Sequence, residues 1–299
     1  QAHQNGKGKG ISVYGVETRS DIWRICRMNL AMRGVEAKNI ANADCLLEHP
    51  YEKLKANFVI ANPPFKMAEW GFKKLQEDIR FKKYGIPSDG KPGGDYAFMS
   101  HMIYHLDEKN GKMGLVLDNG AMTTGGVDEK IRQKIIEDDL IDCIISLPRN
   151  LFYTVQIPAC LWFITKNKND GVTRNRKGET LFIDAREIFT RIDKSQNKFS
   201  EKQIEKISNT YYSFIGKKGY PKFKNEIGYC KSVTIKDIEK NYFFLTPGRY
   251  VGIKEIEDDG IPLKDKMKIL SKEYNTLTKK SESIDKEIHK NFKDLGFEI

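Results

Sequence analysis

The sequence predicts an α/β fold: a parallel or mixed sheet covered on both faces, followed by a separate C-terminal helix. Three observations predict it. Apolar, β-branched runs alternate with amphipathic stretches from residue 11 to residue 186. Several of these runs are apolar throughout, the pattern of strands buried on both faces. Past residue 262 the apolar spacing changes to alternating steps of 4 and 3.

Each element can be justified in turn. "ISVYGVE" (11–17) is a short apolar run and predicts a buried strand. "RSDIWRICRMNLAMRG" (19–34) sets Ile22, Ile25, Cys26 and Leu30 near helical spacing, with Gly34 as its stop. "NFVIANPPF" (57–65) predicts a second buried strand, and a polar loop containing Gly and Pro follows to about residue 94. "DYAFMSHMIYHLDEKNGK" predicts a helix capped by Asp95 and closed by Gly111. "MGLVLDNG" (113–120), "IDCIISLP" (141–148), "ACLWFITK" (159–166) and "TLFIDAR" (180–186) predict strands, and "DEKIRQKIIEDDL" (128–140) a helix. "TKNKNDGVTRNRKG" (165–178) is a basic, solvated loop, and "SEKQIEKISNTYYSFI" (200–215) predicts a helix capped by Ser200. Finally, Leu263, Met267, Leu270, Tyr274, Leu277, Ser281, Ile284 and Ile288 form a heptad seam. Such a helix either folds back on its own domain or docks onto the helices of a partner.

Composition bounds the function. Apolar residues make up 39 % and charged residues 31 %, enough to build a core. No apolar run approaches the roughly 18 residues of a membrane span. "QAHQNGKGKG" has no apolar segment of a signal peptide, does not begin with Met, and reads as a loop inside a longer protein. The five cysteines form no C-x-x-C pair, which argues for free thiols in a reducing cytoplasm. A formal charge of +10 suits a polyanionic partner such as nucleic acid. "GKGKG" lacks the spacing of a phosphate-binding P-loop, and His101 and His105 lack the glutamate of H-E-x-x-H, so no metal site is expected.

In open α/β sheets ligands bind beyond the carboxyl ends of strands. Glu17 closes the first run, where a carboxylate can accept from both hydroxyls of a ribose. Asp44, in "NIANADCLL", can receive the exocyclic amine of a bound adenine. "ANPPF" carries the chemistry. The amine of adenine or cytosine is a poor nucleophile because its lone pair is delocalised into the ring. The Asn62 amide oxygen and the Pro63 carbonyl can accept its two hydrogens, and consecutive prolines hold that carbonyl in place. Phe65 offers a face for an extruded base. Asn62 is neutral and is no general base.

Together "YGVE", "NADCLL" and "ANPPF" resemble consecutive motifs of the amino-group DNA methyltransferases. "WRICRMNLAMRG", "LPRNLFYTVQIPACLWFITKNK", "GETLFIDAR" and "LTPGRYVG" resemble one branch, the modification subunit of type I restriction–modification systems. The resemblance implies a Rossmann-like class I S-adenosylmethionine-dependent sheet and adenine-N6 methylation in the cytoplasm. It carries Glu17 and Asp44 to the ribose and adenine of the cofactor, and Asn62, Pro63 and Phe65 to the target base, with Asn62 also beside the cofactor. Residues 1–187 are then the catalytic domain from its second strand onward. Residues 188–262 are a connecting region packing on that domain, and 263–299 a helix for docking. The implied partners are double-stranded DNA, the specificity subunit, a second modification subunit and a restriction subunit, with no membrane. The family's first strand and glycine-rich cofactor loop do not appear. A parallel sheet missing its central strand would leave two rows of backbone groups unpaired. Another segment is therefore expected to supply the strand, or the sequence is a fragment, and the chain alone is expected to be inactive. Two other readings stay open: a non-catalytic assembly piece, and a protein or RNA amide methyltransferase, which usually has Tyr after the two prolines.

Overall fold

The computed structural model describes residues 11–152, 157–193, 195–253 and 262–295. The chain forms two compact units, residues 1–253 and 254–299.

The first unit opens with β1 (Gly15–Glu17), α1 (Ser20–Met32) and β2 (Ile40–Asn42). β1 and β2 pair in parallel, from Gly15 opposite Ile40 to Glu17 opposite Asn42. There follow β3 (Phe58–Ala61), α2 (Lys91–Tyr104), β4 (Lys112–Asp118), α3 (Val127–Glu137), β5 (Ile141–Ser146), β6 (Ala159–Thr165) and β7 (Glu179–Asp184). A small hairpin, β8 (Thr190–Arg191) with β9 (Asn197–Lys198), precedes α4 (Glu201–Phe214), β10 (Cys230–Thr234) and α5 (Ile235–Lys240). The main sheet has six strands in the order β10-β7-β5-β6-β4-β3. It is mixed: β3–β4 and β5–β7 are parallel, while the pairings of β6 and of β10 are antiparallel. Thus a strand from within 188–262 completes the sheet's far edge.

The continuous apolar runs have the cause expected of them. Every residue of β5 is buried. Ile144 faces a core shared with α2 and α3, containing Met99, Ile131, Ile135 and Trp162. Its neighbours Cys143 and Ile145 face the opposite core with Leu181, Ile183 and Phe214. α4 begins with a full capping box, in which the Ser200 hydroxyl accepts from the Gln203 N–H and the Gln203 side chain accepts from the Ser200 N–H.

Several boundaries differ from expectation. The first strand is confined to the last three residues of 11–17. β3 stops at Ala61, since the prolines after it cannot donate to a ladder. Asp95 does not cap α2. Gly90, at φ 97° and ψ −164°, makes the entry turn, and Asp95 lies inside the helix, only 3 % exposed. α2 ends at Tyr104 because the backbone turns to a new partner: Asp107 N–H donates to Ala56 O. α3 ends at Glu137, where Asp139 takes a left-handed φ of 56° and Leu140 N–H reaches back to Ile135 O.

β3 is not the buried strand expected of it. Phe58 and Ile60 are 73 % and 87 % exposed. Among the described residues β3 pairs only with β4, and β1 only with β2, so both inner edges lack a neighbour. α1, beside β1 and β2, buries no residue at all, and Ile25, Met28 and Met32 lie open. Among the described residues, the β1–β2 pair and the six-stranded sheet are separate.

The second unit contains α6 (Leu263–Asp294), one uninterrupted helix. Leu263, Met267, Leu270, Tyr274, Leu277, Ile284 and Ile288 are all exposed on it, between 43 % and 75 %. No helix of the described residues is long and apolar enough to cross a membrane.

Candidate active site

The site is built at the end of β3. Asn62 and Pro64 are exposed, Pro63 is buried and Phe65 is half-buried. No described residue donates to the Asn62 side chain or to the Pro63 carbonyl, so neither acceptor has a partner among the described residues. The turn is fixed just beyond them. Lys66 adopts a left-handed φ of 53°. Its N–H donates to Asp95 Oδ1 at 3.1 Å, and its Nζ lies 3.3 Å from Asp118 Oδ1 at the end of β4.

Phe65 has an aromatic neighbour to which the sequence assigns no role. The Phe152 ring meets it edge to face at a centroid distance of 6.3 Å and an angle of 79°. The β8–β9 hairpin holds the Phe152 segment, since Asn197 donates from its side chain to Arg149 O and from its backbone to Asn150 O.

Glu17 and Asp44 lie at one end of the β1–β2 pair, as expected. Glu17 Oε1 accepts from the Arg19 N–H at 2.8 Å, which leaves Oε2 open. Asn42 ties the two strand ends together, donating to the Glu17 and Thr18 carbonyls. Asp44 Oδ1 accepts from the Leu46 and Leu47 N–H groups at 2.8 and 2.9 Å, so this aspartate builds its own turn and keeps Oδ2. Burial, and then the charge of Asp44, push the neighbouring Cys45 thiol up to about 11.

Sequence reasoning missed the group that anchors this turn. Arg80 sits in the stretch expected to be a polar loop, yet it is 3 % exposed. It donates to the Cys45 and Leu46 carbonyls, to both oxygens of Asp78 and to His101 Nδ1 at 2.8 Å. The available signal was an arginine between Ile79 and Phe81, a charge inside an apolar triplet.

His49, His101 and His105 bring one ring nitrogen each within 4.8 Å of one another, a grouping the sequence did not disclose. Their partners fix the tautomers. His105 Nδ1 donates to Leu54 O at 2.8 Å, so its Nε2 accepts from His49 Nε2 at 2.9 Å. A guanidinium can only donate, so His101 Nδ1 is an acceptor and its proton sits on Nε2. That arrangement, with a fixed positive charge beside it, suits a hydrogen-bonded cluster rather than a cation. Burial above all lowers all three, His49 to about 4.

Comparison with known proteins follows the same lines. The sequence model of the N-6 DNA methylase family matches residues 1–259. The methylase subunit of the type I restriction enzyme HindI from Haemophilus influenzae is 40 % identical over 99 % of this chain and 64 % of its own length. That of MjaIX from Methanocaldococcus jannaschii is 38 % identical over 96 % of this chain and 50 % of its own. The chain therefore spans between half and two thirds of these curated relatives. Among solved structures, the type I restriction-modification methyltransferase subunit from Streptococcus thermophilus superposes with a TM-score of 0.73 at 28 % identity, covering 85 % of this chain and 51 % of that one. A strand followed by Asn-Pro-Pro-Phe, two carboxylates at one end of the β1–β2 pair, and a family match over most of the chain lead to one conclusion: the chain belongs to the N-6 DNA methylase family.

Proposed function

We propose that this chain is the catalytic part of a DNA adenine-N6 methyltransferase subunit of a type I restriction–modification complex, acting in the cytoplasm. The observation that carries the reading is the pair of open acceptors, Asn62 and Pro63, beside the Phe65–Phe152 corner. An adenine turned out of the duplex would lay its ring against these aromatics. Its amine would donate one hydrogen to the Asn62 oxygen and one to the Pro63 carbonyl. Holding both hydrogens draws the nitrogen toward tetrahedral geometry and frees its lone pair for attack. The proton leaves after the nitrogen has become cationic, so Asn62 needs no basic character.

S-adenosylmethionine, when bound, supplies the electrophilic methyl group. The open oxygens of Glu17 and Asp44 fit its nucleoside end: one would take the ribose hydroxyls, the other the adenine amine. The net charge of +10 favours DNA phosphates. The exposed seam of α6 supports docking onto the specificity subunit, and the kinship to type I methylase subunits supports assembly with a second modification subunit and a restriction subunit.

Asn62→Ala in the full-length subunit, assembled with its partners, tests the reading. Loss of a hydrogen bond made chiefly in the transition state lowers turnover by about 10²-fold or more. Tritiated methyl incorporation into DNA measures it, and wild-type turnover would sink the proposal.

A further inference from the structure

The reacting turn has a support of its own on α2. Gly94 is in close contact with the residue two past Phe65: a Cβ placed on it would lie 2.4 Å from the Met67 carbonyl oxygen. One residue on, Asp95 receives the Lys66 N–H. Lys66 is held at a positive φ that a residue with a Cβ adopts at a cost. Such a conformation persists where its surroundings over-determine it. Here three groups do so: the bare α-carbon of Gly94, the Asp95 carboxylate, and Asp118, which takes the Lys66 ammonium.

We propose that Gly94 and Asp95 form a clamp on residues 66–67, and that Asp95 is a positioning residue for methyl transfer. It acts through Lys66 to set the direction in which the Asn62 amide and Pro63 carbonyl point. The inference rests on the reading of Asn62–Phe65 as the reacting turn. Its chemistry is that of a buried acceptor. An aspartate kept almost wholly from water is costly unless something specific requires it. Here it sits beside Asp118 and Asp128 as well as Lys66. Burial, aided by those two charges and opposed by the Lys66 N–H, raises it to about 6. Below that value the carboxyl gains a proton and becomes a weaker acceptor, so the clamp loosens on the acid side. The adenine-end turn is fastened separately, through Arg80 to Cys45 and Leu46. Loosening the clamp should therefore leave cofactor affinity alone.

The test uses the full-length subunit in its complex, with kcat, the KM for S-adenosylmethionine and the pH profile measured for three variants. Asp95→Ala removes the acceptor and lowers kcat about 10²-fold, the effect of a misplacement near 1 Å, with cofactor KM unchanged. Gly94→Ala pushes the 66–67 backbone away and does the same. Asp95→Asn keeps an acceptor oxygen without the buried charge. It retains most of kcat at pH 8, loses the fall in rate near pH 6, and melts at a higher temperature than the wild type. Three results overturn the clamp. One is wild-type kcat in Asp95→Ala while Asn62→Ala is dead. Another is equal inactivity of the Asn and Ala variants, which would make the charge itself the agent. The third is a parallel fall of kcat, cofactor affinity and melting temperature, the mark of a merely structural residue. Wild-type turnover in Asn62→Ala would instead overturn the underlying reading, whatever Asp95 does.

Discussion

The two halves of the first unit are built from equally apolar sequence and end in opposite states. In β5 and β6, neighbours on both edges and cores on both faces leave Ile144, Cys160 and Trp162 fully buried. In β3 and α1, Ile60 and Met32 are as apolar, and 87 % and 82 % exposed. The difference lies in what surrounds the residues, because burial is conferred by neighbours on both sides of a strand. Both proposed ligand-binding ends, Glu17 with Asp44 and Asn62 with Phe65, belong to the open half. The closed half acts as the rigid base that α2 and the 149–152 segment lean on.

The largest expected effect breaks the closed half. Trp162→Ala leaves a cavity in a core with no room to collapse and costs about 3–5 kcal/mol. Ile60→Ser in the same chain changes stability by no more than about 0.5 kcal/mol, as for any exposed site. Urea titrations of the two variants give both numbers. Equal costs would mean that β3 is covered in solution and that the contrast is false. Repeating Ile60→Ser in the full-length protein sharpens the point: if a strand completes the β3 edge there, the cost rises to about 1.5–3 kcal/mol.

This contrast also accounts for how much the sequence disclosed. The strands of the closed half were legible because unbroken apolar runs such as "ACLWFI" (159–164) have one economical use, a central strand. The proposed reacting turn could be read from the sequence because its parts fit one task. Two prolines end a strand and fix a carbonyl, the amide before them adds a second acceptor, and the ring after them offers a stacking face. The open edge of β3 was not legible in the run itself, since "FVIA" is apolar whether or not a neighbour covers it. What could not be read was whatever depends on approach in three dimensions. Phe152 lies far along the chain from Phe65, and Asp95 resembled a helix cap because it directly precedes an apolar-periodic run. Arg80 looked like loop charge until its donors met the Cys45 and Leu46 carbonyls.

A smaller effect is expected on α6. Its seam is an exposed apolar surface like that of β3, and a helix of this kind gains little from propensity alone. Leu277→Asp should remove about 1.5–3 kcal/mol of docking energy while leaving the melting of the first unit unchanged. Co-purification with the specificity subunit, run beside a thermal melt, separates the outcomes. A retained partner would show that the seam faces elsewhere, and unfolding of the whole chain would make α6 part of its core.

The smallest expected effect is an acid one, confined to the turn that carries Asp44. His101 titrates well below its usual range because burial, His105, Arg80 and His49 all oppose its positive form, while Asp78 favours it. A group so depressed lends stability that is present above its unfolded value near 6.5 and lost as pH falls below it, here over the window downward from that value. Protonation at Nδ1 would also break the bond from Arg80. Opening of residues 43–49 should therefore become easier by about 1 kcal/mol for each pH unit below 6.5. Asn in place of His101 supplies a carbonyl oxygen to Arg80 and no titrating ring, so His101→Asn should reduce that dependence, leaving the part due to His49 and His105. Hydrogen exchange of the Leu46 and Leu47 amides, which Asp44 holds, reads the opening directly between pH 5 and 7 once corrected for intrinsic rates. If wild type and variant show the same protection throughout, the histidines do not fasten the turn, and Arg80 holds it through the carbonyls alone.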